Sequence, residues 1–374
     1  PASMIKRIEV ITEPGAAYDA EGTSAILNIV TEDNSSIKGV LGSVSTYWRT
    51  RDEAPGFNAW MTTEIDKVTF NVYGGYQHLG GESFRNTSLS MVEYPDGTSL
   101  LSESNSDMRG NLGYYGIDGS YQPDTLNLFT IELSGYNYGT HNNWDGYYPT
   151  LNAADEIIKS YRSTINQPTS GYTDLDANVN WQHKTHRKGE TYTLSYMLSH
   201  TNQRSSSETQ YFDMYGMTMP YTTMLRDYNL NFFEHTVQGD WTRQIGKHNL
   251  DFGFKGIFRR NHSTNENNYV GMLEESREFA HNTDIAAVYG QYSVAVGKVS
   301  MRAGLRYEFS HLKASYPDGS AENYSSNLSD LVPTAAVSWQ ANDANSLSFN
   351  YSTSINRPGI DYLNPAVSVT PVSL

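Results

Sequence analysis

The sequence predicts an all-β protein, a transmembrane antiparallel up-and-down β-barrel, and three observations carry that prediction. Apolar and polar residues alternate along segments of about a dozen residues, as a strand needs when lipid wets one face and water the other. Short and long connections alternate between these segments. No stretch approaches the roughly 18 consecutive apolar residues of a membrane helix. The clearest alternating set is Val299, Met301, Ala303, Leu305, Tyr307 and Phe309, with Arg302, Arg306 and Glu308 among the residues between.

About thirteen barrel strands are predicted. Their approximate spans are 37–49, 55–66, 68–80, 108–122, 125–139, 172–185, 189–203, 228–243, 247–262, 282–297, 298–312, 331–341 and 345–356. Long connections are expected at 49–55, 81–107, 140–171, 204–227, 263–281 and 313–330, and short turns join the other strand ends. Outer-membrane barrels have short periplasmic turns and long extracellular loops, so the first barrel strand is expected to rise from the periplasm.

Three tryptophans support this orientation. Trp181, Trp241 and Trp339 each lie a few residues before a short turn, on the apolar side of the alternation. A periplasmic girdle of aromatic residues belongs at that level of a barrel. The alternative is a large soluble β-sandwich or propeller, whose strands average only about five or six residues.

Composition excludes several classes of protein. The absence of cysteine excludes disulfides, thiol catalysis and cysteine-bound metals, and a net charge of −15 argues against a nucleic-acid partner. The ten histidines are scattered without the compact spacing of a metal site, so neither a metal nor another cofactor is predicted. No G-x-S-x-G elbow or other set of catalytic residues stands out. The sequence therefore predicts no catalytic residues and no enzyme.

Residues 1–36 do not follow the alternation of long strands, short turns and long connections. They contain two short apolar strands separated by a break at Glu13-Pro14-Gly15 and a polar turn. This stretch resembles the last part of the plug domain of TonB-dependent outer-membrane transporters, especially their Bacteroidetes members. A second resemblance, at the other end, is to a barrel motif of the Bacteroidetes outer-membrane β-barrel family. The plug resemblance rests on Glu9, Pro14, Tyr18, Asp19, Glu21, Gly22 and Asn28, and the barrel motif on Arg357, Pro358, Asn364 and Pro365.

The resemblance implies a barrel of about 22 strands filled by an N-terminal plug. Residues 1–36 are then the end of the plug, and residues 37–374 the N-terminal part of a truncated barrel. The odd strand count agrees with truncation, because single-chain bacterial barrels have even numbers of strands. Two departures, Glu13 directly before Pro14 and Ser24-Ala25 in place of paired glycines, mean that plug–wall salt bridges of siderophore receptors cannot be carried over.

Two expected extracellular loops, 141–148 and 211–217, combine aromatic rings with amides and carboxylates. Such a mixture suits capture of a small solute. The alternative is that these loops are stabilised by one another and by lipopolysaccharide. The candidate ligand-binding residues are Trp144, Tyr147, Tyr148, Tyr211 and Tyr215.

The expected function is import across the outer membrane of a Gram-negative bacterium. A scarce solute is captured on the extracellular side and passes the plugged barrel with energy from the TonB complex, which contacts an N-terminal part absent from this sequence. The alternative is a structural, adhesive or signalling outer-membrane barrel without active transport; the plug-like segment disfavours an open porin. Expected partners are outer-membrane lipid, lipopolysaccharide, the TonB complex and an unknown small solute. Iron chelates, cobalamin, glycans and peptides all remain open.

Overall fold

A computed structural model describes residues 5–11, 15–16, 26–31, 39–52 and 54–357. These residues form sixteen strands and a single 3-10 turn at Glu82–Phe84. No helix in this described part of the chain is long and apolar enough to cross a bilayer. The strands are β1 (Ile5–Ile11), β2 (Ile26–Thr31), β3 (Gly39–Arg49), β4 (Ala54–Ile65), β5 (Val68–Leu79), β6 (Arg85–Glu93), β7 (Ser99–Tyr121), β8 (Asn127–Leu151), β9 (Ile157–Lys184), β10 (Glu190–Tyr215), β11 (Thr223–Ile245), β12 (His248–Tyr269), β13 (Leu273–Val296), β14 (Val299–Ser315), β15 (Tyr324–Asn342) and β16 (Asn345–Ser352).

The large sheet has fourteen strands and up-and-down topology. From β3 to β16 each strand pairs antiparallel with the next along the chain, except that β6 is a side branch paired with β7 alone. The thirteen strands on the main path correspond one by one to the predicted strands, which confirms the fold class. β1 and β2 form a separate antiparallel hairpin, with Ile11 opposite Ile26.

The predicted long connections were wrong in one respect: much of their length is strand. β7 to β13 have 22 to 28 residues each, whereas a membrane-spanning strand needs only about 9–11. The segment 140–171 continues β8 and β9 to a connection at 152–156, and 81–107 contains the β6–β7 hairpin. Both faces of these extensions meet water, so the alternation that marks a lipid-facing strand is lost there although backbone pairing continues.

The short turns fall where they were predicted, and two of them show how the strand register is fixed. Gly246 and Gly297 begin the two-residue turns between β11 and β12 and between β13 and β14, with φ of 61° and 60°. A side chain at such a position would strain the backbone, so glycine favours the tight turn.

The two faces of the sheet differ sharply, as β14 illustrates. Leu305, Tyr307 and Phe309 are 49%, 45% and 42% exposed, whereas the intervening Arg306, Glu308 and Ser310 are at most 2% exposed. We call the face of Leu305 the outward face and the face of Arg306 the inward face. Residues paired across strands share a face, so the register carries this assignment from β14 to the other strands. Trp181, Trp241 and Trp339 all project from the outward face beside the short turns.

Candidate functional site

A piece of the N-terminal region lies against the inward face of the sheet. The Ala16 backbone N–H donates to Gln291 Oε1 over 3.3 Å, and Arg306 Nη1 donates to the Ala16 carbonyl over 3.5 Å. A Cβ atom at Gly15 would collide with the Gln291 side chain. Ala16 is only 2% exposed. Residues that precede the barrel strands therefore contact the lumenal surface of β13 and β14.

A charged cluster surrounds this contact. Glu308 accepts from Arg306 Nε and from Arg357 Nη2, each over 2.5 Å, and Arg357 Nη2 also donates to Ser310 Oγ over 2.8 Å. The side chains of the three charged residues are 5% exposed or less. Buried ions need such pairing, because desolvation of an isolated charge costs several kcal/mol. The cluster thus joins β14 to the segment that follows β16.

The charged cluster extends along the inward face from β14 through β13 to β11. The Arg306 guanidinium lies 5.4 Å from the ring centroid of Tyr289, within cation–π range. The Tyr289 hydroxyl donates to Asp240 Oδ1 over 2.5 Å and accepts from Gln238 Nε2 over 3.0 Å. We call Asp240, Tyr289, Arg306, Glu308 and Arg357 the lumenal polar network. This network places charged and hydrogen-bonding groups where Ala16 contacts the inward face. Contacts with such groups are chemically suited to be made and broken reversibly.

The structure places the sequence motifs as follows. Arg357 of the barrel motif belongs to the lumenal polar network. Glu9 and Asn28 of the plug motif lie opposite each other in the β1–β2 hairpin. Outside the described residues lie Pro14, Tyr18, Asp19, Glu21 and Gly22 of the plug motif and Pro358, Asn364 and Pro365 of the barrel motif.

The five candidate ligand-binding residues lie on strands rather than in irregular loops, and on both faces. Trp144 and Tyr148 on β8 and Tyr211 on β10 face inward, whereas Tyr147 and Tyr215 face outward. The Tyr147 ring lies 4.9 Å from the Arg162 guanidinium across the strand pair. Three of the five candidates therefore share the inward face, on the parts of the strands far from the short turns.

Tyr148 and Tyr211 are part of a longer row of inward tyrosines. The successive ring-centroid distances are 4.8, 6.0, 5.8 and 4.9 Å. Sequence reasoning missed three of its members, each at most 8% exposed, because two of them lie on strand extensions without apolar alternation and Tyr221 lies in the connection between β10 and β11. The row is Tyr148, Tyr161, Tyr211, Tyr221 and Tyr269. Its buried centre supports the wall, and its more exposed end at Tyr148 lies on the same face of β8 as Trp144.

The tyrosine row predicts alkaline sensitivity. Burial raises the pKa of Tyr161 to about 12 and raises the pKa of Tyr211 and Tyr221 as well. The folded protein holds these protons more tightly than the unfolded chain, whose tyrosines ionise near pH ~10. Stability is therefore full below pH ~10 and falls as the pH rises through about 12. Tyr161→Phe should make this fall less steep in urea unfolding measured across that range, and an unchanged slope would contradict the assignment.

Among the described residues, no group of three or more His, Cys, Asp or Glu side chains is placed to hold a metal ion. His262 Nε2 contacts Glu278 Oε1 over 2.8 Å, but this is an isolated pair on the outward face.

Comparisons with known proteins agree with the architecture. The sequence model described as the outer membrane protein beta-barrel family matches residues 183–371, about half of the chain. Among solved structures, the unliganded ferric citrate transporter FecA is similar, with a TM-score of 0.50 and 12% sequence identity. The similarity covers 91% of this chain and 48% of FecA, so the chain spans about half the length of that transporter. No curated protein sequence matches.

Proposed function

Because the chain belongs to the outer membrane protein beta-barrel family and resides in the outer membrane, we propose that it is part of a plugged receptor-transporter. It captures a scarce solute at the outer end of the lumen and imports it with energy supplied by TonB. The observation that carries the proposal is the contact of Ala16 with Gln291 and Arg306 on the inward face. In this proposal residues 1–36 end the plug and residues 37–374 form the first part of the barrel wall.

The chemistry of the contact supports a plug that can move. Hydrogen bonds and charges at the plug–wall boundary can be exchanged for contacts with water when the segment shifts, whereas a packed apolar interface would expose its surface at a cost proportional to area. Ala16 meets the wall through its backbone N–H and carbonyl, beside the paired charges of Arg306 and Glu308. A pulling force applied upstream would therefore break a few polar contacts rather than a hydrophobic core.

Solute capture is assigned to the inward face of the extended strands. Trp144 and the more exposed end of the tyrosine row offer aromatic faces, with Asn142 on the same face of β8. Aromatic surface with a few polar groups binds compact polar solutes well. No bond-making or bond-breaking step belongs to this mechanism, so the protein is proposed to be a transporter rather than an enzyme.

Growth under single-solute limitation tests the proposal. A deletion strain complemented with the full-length gene is grown with one class of solute limiting at a time: iron chelates, cobalamin, glycans or peptides. We expect complementation on one class only, and its loss when TonB is inactivated. Complementation that persists without TonB would contradict energy-coupled import, and no complementation on any class would favour the structural, adhesive or signalling alternative.

The two faces of β8 provide a matched test of where the solute binds. With the solute found in that screen, Trp144→Ala should weaken surface binding about tenfold, since loss of one aromatic contact removes about 1–2 kcal/mol. Tyr147→Ala lies on the opposite face and should leave binding unchanged. Equal losses in both variants would remove the inward face of β8 from the capture site.

A further inference from the structure

A second feature lies on the outward face, away from the lumen. A cavity of about 580 Å³ opens between β5, β7, β8, β9 and β10. Its lining includes His78, Arg109, His141 and Arg204, with the backbone of Gly139 and Gly171 as its floor. The pairing of Arg109 with His141 and of Arg204 with Gly171 places these groups on one face. That face is the outward one, because Gly171 lies on the same side of β9 as Trp181.

The cavity exists because two adjacent strands lack side chains at the same level. Gly139 and Gly171 lie opposite each other on β8 and β9. A Cβ atom at Gly139 would meet no atom within 4 Å, so the space above it is open. Two neighbouring glycines on a paired strand face leave a recess about one side chain deep. The recess is flanked by the two arginines.

The height of this recess matches the outer edge of the lipid-facing band. From Asn127, where β8 leaves its short turn, to Gly139 the strand climbs about 30 Å at ~3.3 Å per residue and a tilt of ~40°. The apolar band of outer-membrane barrels is about 25 Å tall. Below Gly139 on the outward face of β8, Ile131 and Leu133 are 55% and 37% exposed, as lipid contact requires. The arginines thus stand where lipid headgroups begin.

With increasing distance from the short turns, the residues on this outward face are first apolar, then cationic and then acidic. Arg109 is 65% exposed and has Asp107 3.3 Å away, and Arg204 is exposed. Farther from the short turns, Glu208, Asp227 and Glu266 contribute to a separate outward cavity of about 810 Å³. An anion approaching this side of the barrel is repelled by the acidic level and attracted by the cationic one.

We propose that the recess binds a phosphate group of the phosphorylated glycolipid of the outer leaflet, the lipid A part of lipopolysaccharide. Arg109 and Arg204 hold the phosphate by charge-assisted hydrogen bonds, and His78, His141 and neighbouring amides such as Asn111 complete the polar lining. The acyl chains then lie along the apolar outward residues below. This site depends on the outer-membrane location of the protein and not on transport.

Lipid A titrated into the purified full-length protein in detergent tests this site, with retention followed by native mass spectrometry. We expect wild-type protein to retain lipid A that carries both phosphates and to release the dephosphorylated form. Arg109→Gln with Arg204→Gln should weaken binding at least tenfold, as expected for loss of charge-assisted hydrogen bonds of ~1.5 kcal/mol or more. Gly139→Leu should weaken it to a similar extent by filling the recess, with all charges kept.

Arg260→Gln is the matched control, because Arg260 also faces outward but lies on β12 and is not among the residues that line the recess. It should bind lipid A like the wild type. Heat-modifiable migration in gels reports whether each variant folds. If Gly139→Leu fails to fold, the double arginine variant alone decides the outcome. Undiminished binding by the arginine double variant, or equal binding of dephosphorylated lipid A, would overturn the proposal. Displacement of lipid A by millimolar inorganic phosphate would overturn it too, by identifying a site for a free anion.

Discussion

Replacement of Glu308 by Gln should lower the free energy of unfolding by about 3–5 kcal/mol, the usual cost of removing one partner from a buried ion pair. Glu308 lies between Arg306 and Arg357, with both contacts at 2.5 Å and all three side chains at most 5% exposed. Glutamine keeps the shape but not the charge, so the two guanidiniums lose the carboxylate between them. Urea unfolding of the full-length protein in lipid vesicles, followed by tryptophan fluorescence, measures the effect.

Glu234→Gln is the matched control on the same inward face. Glu234 accepts from Arg259 Nε over 2.6 Å, but the two side chains are 16% and 28% exposed. Water screens this pair more, so a smaller loss of about 1–2 kcal/mol is expected. If the two variants lose equal stability, the burial of the Glu308 cluster does not have the energetic weight assigned to it.

A disulfide between Ala16→Cys and Gly304→Cys should stop import almost completely while leaving solute binding at the surface intact. A Cβ atom at Gly304 would lie 3.0 Å from Ala16 Cβ, so a shift of a few tenths of an ångström gives the ~3.5–4.5 Å of a disulfide. These 374 residues contain no cysteine, so no other cysteine within them competes. The cross-link ties the N-terminal region to β14, and a reductant should restore import. Uptake of the solute identified by growth complementation, with and without reductant, provides the measurement.

A second cysteine pair separates this lock from a general effect of cross-linking. Ser338 and Ser348 face each other on β15 and β16, with their hydroxyl oxygens 3.2 Å apart. A disulfide there joins two strands of the wall and leaves Ala16 untouched, so import should continue. Full import by the oxidised Ala16–Gly304 pair would show that this segment need not leave the wall during transport.

The strands were predictable where the environment differs on the two sides of the sheet. Alternation located β14 and even assigned Arg306 and Glu308 to the inward face, because Leu305, Tyr307 and Phe309 between them meet lipid. The same rule failed above the membrane, where β8 and β9 have water on both sides and no apolar stripe marks the strand. The extra length of these strands comes from backbone pairing, which leaves no comparable pattern in the sequence.

The candidate site was predictable only in part, for a similar reason. Tyr148 and Tyr211 were selected by composition, but their connection runs through Tyr161, which only the strand register places between them. The register also contains a bulge near Gln167 on β9 that changes which residues face inward. Arg357 was recognised as part of a motif, whereas its partner Glu308 is distant in sequence and required the fold.

In the transporter proposed above, the unusual height of β7 to β13 bears on how a solute reaches the inward face. Backbone hydrogen bonds continue almost to the tips, where connections such as 152–156 and 270–272 are short. A chamber with such stiff walls does not fold over a solute as a mobile lid does. If these strands bind solute as proposed above, the binding surface is preorganised, and association is governed by diffusion instead of by a closing motion. Slow amide hydrogen exchange far above the bilayer is the signature of that rigidity.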